Sequence, residues 1–208
     1  MQPMPPTQPT GAGATRREQI LNEAAQLFAE RGFHGVGVDE IGAAVGISGP
    51  GLYRHFPGKV AMLAELLVGI SGRLLAEGKR RVAEAADSAA ALDALVRGHA
   101  AFALDDRPLI ILHDRELDRL RESDRKLVRQ LQRQYVELWV EVVGKEHPDA
   151  QEEEVRAAVH AVFGLLNSTP HLGPYRGAQG GLPDREATAA LLHRLALGAF
   201  AALDGSAG

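Results

Sequence analysis

The chain has 208 residues, enough for one large or two small domains, with 45% apolar, 24% charged and only 5% aromatic residues. Ala and Leu dominate, which favours helices over sheets, and no window of 18 uncharged apolar residues offers a membrane span, so no membrane is expected as a partner. Net charge is −4 and Cys is absent, which excludes disulfides and thiolate chemistry and fits a cytoplasmic protein; the opening MQPMPPTQPTGAGA also lacks the basic and apolar regions of a signal peptide.

Residues 1–14, rich in Pro, Gly, Thr and Gln, are expected to be a disordered tail. Thr15 opens a capping box with Glu18, and Ile20, Leu21, Ala24, Leu27 and Phe28 follow at helical spacing, with Gly32 as the stop. Val38, Ile41 and Val45 give one face of a very short second helix, stopped by Gly46. Ser48 caps a third, with Pro50 in its first turn; that helix must end near His55, because Phe56 precedes a proline. From Lys59 to about Ala85 the pattern is one long helix weakened by Gly69, Gly72 and Gly78. Four further stretches read as helices over 88–104, 107–120, 124–144 and 151–167. The segment 167–184 reads as a loop, and Asp184 caps a final helix to about Leu203. The fold class is all-α, with no strand alternation and no internal repeat.

The short second and third helices around the turn "GIS" form the pattern of a helix-turn-helix, with Gly46 needed for a left-handed backbone conformation. Taken alone, that turn is equally an ordinary αα-hairpin. Ile47, Leu52 and Phe56 can pack inward, which leaves the side of Gly49, Pro50, Gly51, Tyr53, Arg54 and His55 free. The missing side chains at 49 and 51 would let backbone approach DNA. Between residues 15 and 60 five basic residues balance five acids, so DNA binding would rest on a few placed cations rather than a basic tail.

The runs "ILNEAAQLFAERGF" (20–33), "VDEIGAAVGIS" (38–48) and "LYRHFPGK" (52–59) resemble the tetracycline-repressor (TetR) family of bacterial transcription regulators. The resemblance covers about 45 residues with fixed spacings. It implies a three-helix DNA-binding head over 15–60 and a helical body over 61–208 for ligand binding and dimerisation. It also implies that Ser48, Pro50, Gly51, Tyr53 and His55 face double-stranded DNA, with Lys59 on a phosphate; Gly49 and Arg54 complete that surface. Gly37 stands where the family carries a capping Ser or Thr, which weakens the cap by a few tenths of a kcal/mol and puts one phosphate contact in doubt.

In the body, residues 107–143 carry seven Arg or Lys between 115 and 133, interleaved with acids. A solvated, salt-bridged face is the plain reading. The functional reading is an anion-binding mouth, including Arg119, above an apolar tunnel. The tunnel is lined from Ile110, Ile111, Leu117, Tyr135, Leu138 and Trp139, with Phe102 and Phe163 as further ligand contacts and His99 and His113 as polar groups. This arrangement is loosely similar to family members that sense acyl-coenzyme A thioesters, which implies a fatty acyl-coenzyme A as inducer. An enzyme or metal-binding protein using the His-containing pocket is the alternative, although no tight ligand spacing supports a metal, a cofactor motif is absent, and "GRLLAEGKR" (72–80) fails as a P-loop. The small, apolar runs 155–168 and 187–200 agree with the family's C-terminal dimer helices, placing Val159, Phe163, Leu166, Leu192, Leu195 and Phe200 in a homodimer interface. The expected function is a ligand-responsive repressor released from a palindromic operator by a small molecule.

Overall fold

The structure is a computed structural model, which describes residues 15–173 and 184–205. Nine α-helices are present among them: α1 (Arg16–Arg31), α2 (Val38–Ala44), α3 (Gly49–Leu52), α4 (Lys59–Glu84), α5 (Ser88–Asp105), α6 (Arg107–Glu116), α7 (Glu122–Glu146), α8 (Glu152–Leu166) and α9 (Arg185–Ala201). The expected disordered tail and most of the 167–184 loop lie outside the described residues.

Helix starts follow local chemistry. The Thr15 hydroxyl accepts the Glu18 N–H at 3.2 Å while the Glu18 carboxylate accepts the Thr15 N–H at 2.7 Å, the reciprocal box read from the sequence. Asp184 accepts the Ala187 N–H at 2.8 Å, and Asp87 does the same for Ala90 at the start of α5. The expected 107–120 helix divides: α6 stops at Glu116 and a single 3-10 turn, Leu117–Arg119, follows.

Two buried clusters organise the chain. One joins α1, α2 and α3 through Ile20, Phe28, Ile41, Leu52 and Phe56, and runs on without a break into Met62, Leu63 and Leu67 of α4 and Leu109 and Leu112 of α6. The other fills the body around Trp139, with Leu95, Val143, Val159, Leu166, Ala196 and Phe200. Helix α6 lies between them, with Leu112 fully buried on the side of the head.

Candidate nucleic-acid interface and ligand cavity

The α2–α3 corner is built by close approach. Gly46 has φ of 72°, the left-handed value the turn requires. Gly42 is buried, and a Cβ there would lie 2.8 Å from the Ile47 carbonyl oxygen, so only glycine lets α2 seat this tightly on the turn. Ser48 caps α3 by accepting the Gly51 N–H at 3.2 Å. Helix α3 is shorter than the sequence suggested: it ends at Leu52, and residues 53–55 continue as turns.

Ser48, Pro50, Tyr53, Arg54 and His55 are exposed together at this corner, with Tyr53 56% accessible, and Gly37 is exposed at the start of α2. Two expected members of the surface are elsewhere. Gly49 and Gly51 are buried, because the missing side chains make room for the protein's own atoms: a Cβ at Gly49 would overlap Asp39 Oδ1, and one at Gly51 would lie 3.3 Å from Ser48 Oγ. Lys59 is half-buried and mostly committed inward. Its ammonium donates to the carbonyls of Phe33 (2.8 Å) and Val36 (2.6 Å) and lies 4.7 Å from the Phe33 ring centroid, leaving one N–H for any other partner. Gly37 has no side chain with which to cap α2, but Glu40 supplies the other half of the box by accepting the Gly37 N–H at 2.9 Å. Arg31 pairs with the same Glu40 carboxylate at 2.6 Å. Arg16 closes the far end of α2 on the Val45 carbonyl at 2.8 Å.

The body encloses a cavity of about 540 Å³ bounded by α4, α5, α6, α7 and α8. At its base His99 is buried and stacked on Phe163 (5.0 Å) and Tyr135 (5.8 Å), with Phe102 edge-on at 5.5 Å. Burial pushes its imidazole down to about 4, opposed in part by the hydrogen bond to Asn167, so the ring is neutral. The Asn167 carbonyl oxygen, 3.0 Å from Nε2, can only accept, which puts the ring hydrogen on Nε2. Nδ1 must then accept from the Tyr135 hydroxyl at 3.3 Å. Burial also pushes the Tyr135 phenol up to about 12, so this group is a neutral donor as well. Ile70 and Leu74 of α4 and Ile110 of α6 make apolar walls. At the exposed rim are His113, Asp114, Arg129, Gln132, Arg133, Glu137, Arg156 and His160.

Of the residues expected to contact ligand, His99, Phe102, Ile110, His113, Tyr135 and Phe163 line this cavity. Arg119 does not: it is exposed beyond the end of α6 and lies 3.6 Å from Glu116. The rim cations are Arg129 and Arg133, about two and three turns into α7, with Arg156 paired to Glu137 at 2.5 Å. Leu138 and Trp139 also fall outside. Leu138 packs towards Gly78 of α4, and Trp139 is completely buried behind Phe163 at 5.0 Å. Asn167, Ile70 and Leu74 were missed. Asn167 follows the end of α8 and meets a histidine 68 positions away, a pairing that no local pattern encodes. Among the described residues no group of three His, Asp or Glu comes together as a metal shell would need.

The expected dimer residues divide in the same way. Val159, Leu166, Leu192 and Phe200 belong to the buried core of a single chain and Phe163 lines the cavity; only Leu195 is exposed, at 48%. The outward face is a different one. On α8 it presents Ala157, Ala161 and Gly164, and on α9 Leu191, Leu195 and Gly198, both at i, i+4, i+7 spacing. A Cβ at Gly164 or Gly198 would meet nothing within 4 Å. Helix α9 is therefore apolar on two sides, and Arg185–Gly205 is long and apolar enough to cross a membrane by length and composition alone. Its inner side is held in the bundle by Leu192, Ala196 and Phe200.

Residues 20–66 match the model of the bacterial regulatory proteins, tetR family, and residues 85–171 match a tetracyclin repressor-like C-terminal domain. The HTH-type transcriptional repressor KstR2 of Rhodococcus jostii (strain RHA1) is 33% identical over 140 residues, 67% of this chain and 69% of that protein. Among solved structures, the ketosteroid transcriptional regulator KstR2 of Mycobacterium tuberculosis superposes with a TM-score of 0.72 at 24% identity, covering 90% of this chain and 96% of that one. AibR in complex with isovaleryl coenzyme A and operator DNA superposes with a TM-score of 0.70 at 20% identity, covering 87% and 97%. The last two likenesses show the shared fold of head and body. The chain belongs to the tetR family of bacterial regulatory proteins and is a DNA-binding transcriptional regulator.

Proposed function

We propose that this regulator acts as a homodimeric repressor, in the cytoplasm where its operator is, with a head whose motif spans 15–60 and whose core the start of α4 completes, and a body beyond it. Two chains associate through the Ala157–Ala161–Gly164 and Leu191–Leu195–Gly198 stripes, whose small residues permit close approach. Each head then offers Ser48, Pro50, Tyr53, Arg54 and His55 to a major groove of a palindromic operator, with Gly37 and the remaining Lys59 N–H near the backbone. The protein works by binding rather than catalysis. Both nitrogens of His99, the buried imidazole, are engaged by Asn167 and Tyr135, so this ring is not free to act on a substrate.

The cavity supports one ligand chemistry. Its base is apolar and uncharged, and a buried carboxylate there would lose its hydration with no cation to replace it. The Asn167 amide N–H groups have no acceptor among the described residues and suit a neutral oxygen, such as a carbonyl. At the rim, Arg133 has no ion pair among the described residues and Arg129 has a long one, 3.7 Å to the exposed Asp118, so both can meet an anion. An apolar molecule with an inner carbonyl and an outer anionic group fits, and a coenzyme A thioester is such a molecule. The observation that carries the reading is the position of α6. Ile110 and His113 line the cavity, whereas Glu116 of the same helix accepts the Phe33 N–H of the head at 3.3 Å. A ligand that favours one setting of α6 thereby shifts the population of head positions. Helix α4, whose buried residues reach from the head cluster into the body cluster, is a second route.

The test is titration of thioesters of increasing acyl length, the matching free acids and an uncharged steroid ketone into the protein–operator complex. Release by the thioesters, weakened by Arg133→Ala, is expected. Release by the ketone alone, unaffected by Arg133→Ala, would assign the cavity to a neutral ligand and return the rim arginines to a solvated face.

A further inference from the structure

Asp39 lies in the first turn of α2, outside the helix that should enter the groove, yet its carboxylate is set against the first residue of that helix. Gly49 at the start of α3 is buried, and the space a Cβ would take there is filled by Asp39 Oδ1. An acid at this place has two ordinary hydrogen-bonding tasks, and both are done by other residues. Ser48 caps α3 through the Gly51 N–H, and Glu40 holds the Gly37 N–H at the start of α2. Arg31 pairs with Glu40 and not with Asp39. Asp39 is exposed, and among the described residues it has no hydrogen bond and no ion pair. Its neighbours at the corner, Ser48 and Pro50, are exposed with it.

A bare carboxylate beside a DNA-binding helix is repelled by the phosphates and weakens binding to every sequence. It favours binding only where it accepts a hydrogen from a base. In the major groove the available donors are the exocyclic amines of cytosine and adenine. Adenine places its N7 acceptor next to the amine, where it opposes a carboxylate, whereas cytosine presents the amine alone. Resting on the reading of this corner as the DNA-facing surface, we propose that Asp39 is a specificity-determining residue that selects cytosine at one position of each operator half-site. In this arrangement Gly49 is the notch that holds the carboxylate in place, so the weak start of α3 serves the readout by α2.

Selection of bound duplexes from a random library tests this with the full chain. Wild type should enrich two symmetry-related cytosines that Asp39→Ala leaves degenerate, with the rest of the site unchanged. The loss of discrimination at that pair should be about 10-fold, within the range of one good base contact. Asp39→Asn should move the preference towards adenine, because an amide pairs with its amine and N7 together. Gly49→Ala should blur the same position with the carboxylate still present, since it displaces Asp39. Random DNA should bind Asp39→Ala a few-fold more tightly. Identical selected sites for wild type, Asp39→Ala and Asp39→Asn would overturn the assignment and leave Asp39 as a helix-start charge. A wild-type chain that enriches no sequence would remove the DNA-facing reading of the corner, and this assignment with it.

Discussion

His99 is neutral in the folded body, whereas in an unfolded chain it takes up a proton near pH 6.5. Its contribution to stability is therefore complete above about pH 6.5 and is lost as the pH falls towards the folded value of about 4. At about 1.4 kcal/mol per pH unit, the full loss is on the order of 3 kcal/mol. Urea titrations between pH 7 and 4 should show the wild-type protein losing stability more steeply than His99→Gln, and parallel curves would refute the neutral, cage-bound ring. Lys59 makes a second case. Its two carbonyl partners lose a charged donor in Lys59→Ala, which should cost about 1–2 kcal/mol. A thermal melt and the salt dependence of DNA binding, measured together, separate this loss from that of one phosphate contact, which would lower the salt slope by about 1 without a change in melting. The family resemblance pointed Lys59 outward because pattern matching carries a residue type, not the carbonyls it closes upon. Tyr53 and His55, by contrast, are exposed as expected, because alternation with the apolar Leu52 and Phe56 decides their side of the turn.

Helix starts were readable because their physics is local: three or four residues set each cap, as at Thr15 with Glu18 and at Asp184 with Ala187. What a glycine is for was not readable, because the neighbour that needs its space comes from another helix. The three glycines of α4 suggest a bend, yet they differ. A Cβ at Gly78 would lie 2.8 Å from Tyr135 Cε2 and 3.0 Å from Leu138 Cδ2, so Gly78 seats α7 against α4. Gly69 faces open space. Gly78→Ala should lower stability by about 1 kcal/mol, the excess of overpacking over the gain in helix propensity. Gly69→Ala should raise it by roughly 0.5–1 kcal/mol. Equilibrium denaturation of the two variants should give opposite signs; the same sign for both would mean that α4 and α7 do not pack as closely as described. Because Tyr135 also lines the cavity, Gly78→Ala should weaken ligand binding while Gly69→Ala leaves it unchanged.

The all-α class and the order of helices follow from composition and periodicity, but the extent of the head does not. A boundary at residue 60 suits the motif and cuts the packing. Met62, Leu63 and Leu67, all fully buried, complete the cluster that holds Phe28 and Leu52, and Leu112 joins it from α6. A fragment of residues 15–60 should therefore lack cooperative structure by circular dichroism, whereas the head within the whole chain unfolds with the body. A fragment with a sharp melting transition would show that the head is independent. Of the residues expected at a dimer interface, all but Leu195 lie in the core of one chain or line the cavity. With both sides of α9 apolar, no periodicity distinguishes the side facing its own bundle from the side facing out.

With the proposed pairing of two chains through its outer stripe, that two-sided helix would tie the lifetime of the protein to its abundance. One chain alone leaves Leu191 and Leu195 wet, at 40% and 48% exposure, on a segment greasy enough to adhere to lipid or to another misassembled chain. Mass action then sets the balance: dilution leaves the stripe bare, and rising copy number covers it. A regulator of this kind carries its own threshold. Paired in this way, it would be thermally weaker and more open to proteases at low copy number and would persist at high copy number. Melting temperatures recorded over a hundredfold range of protein concentration should climb, and Leu195→Asp should abolish the climb.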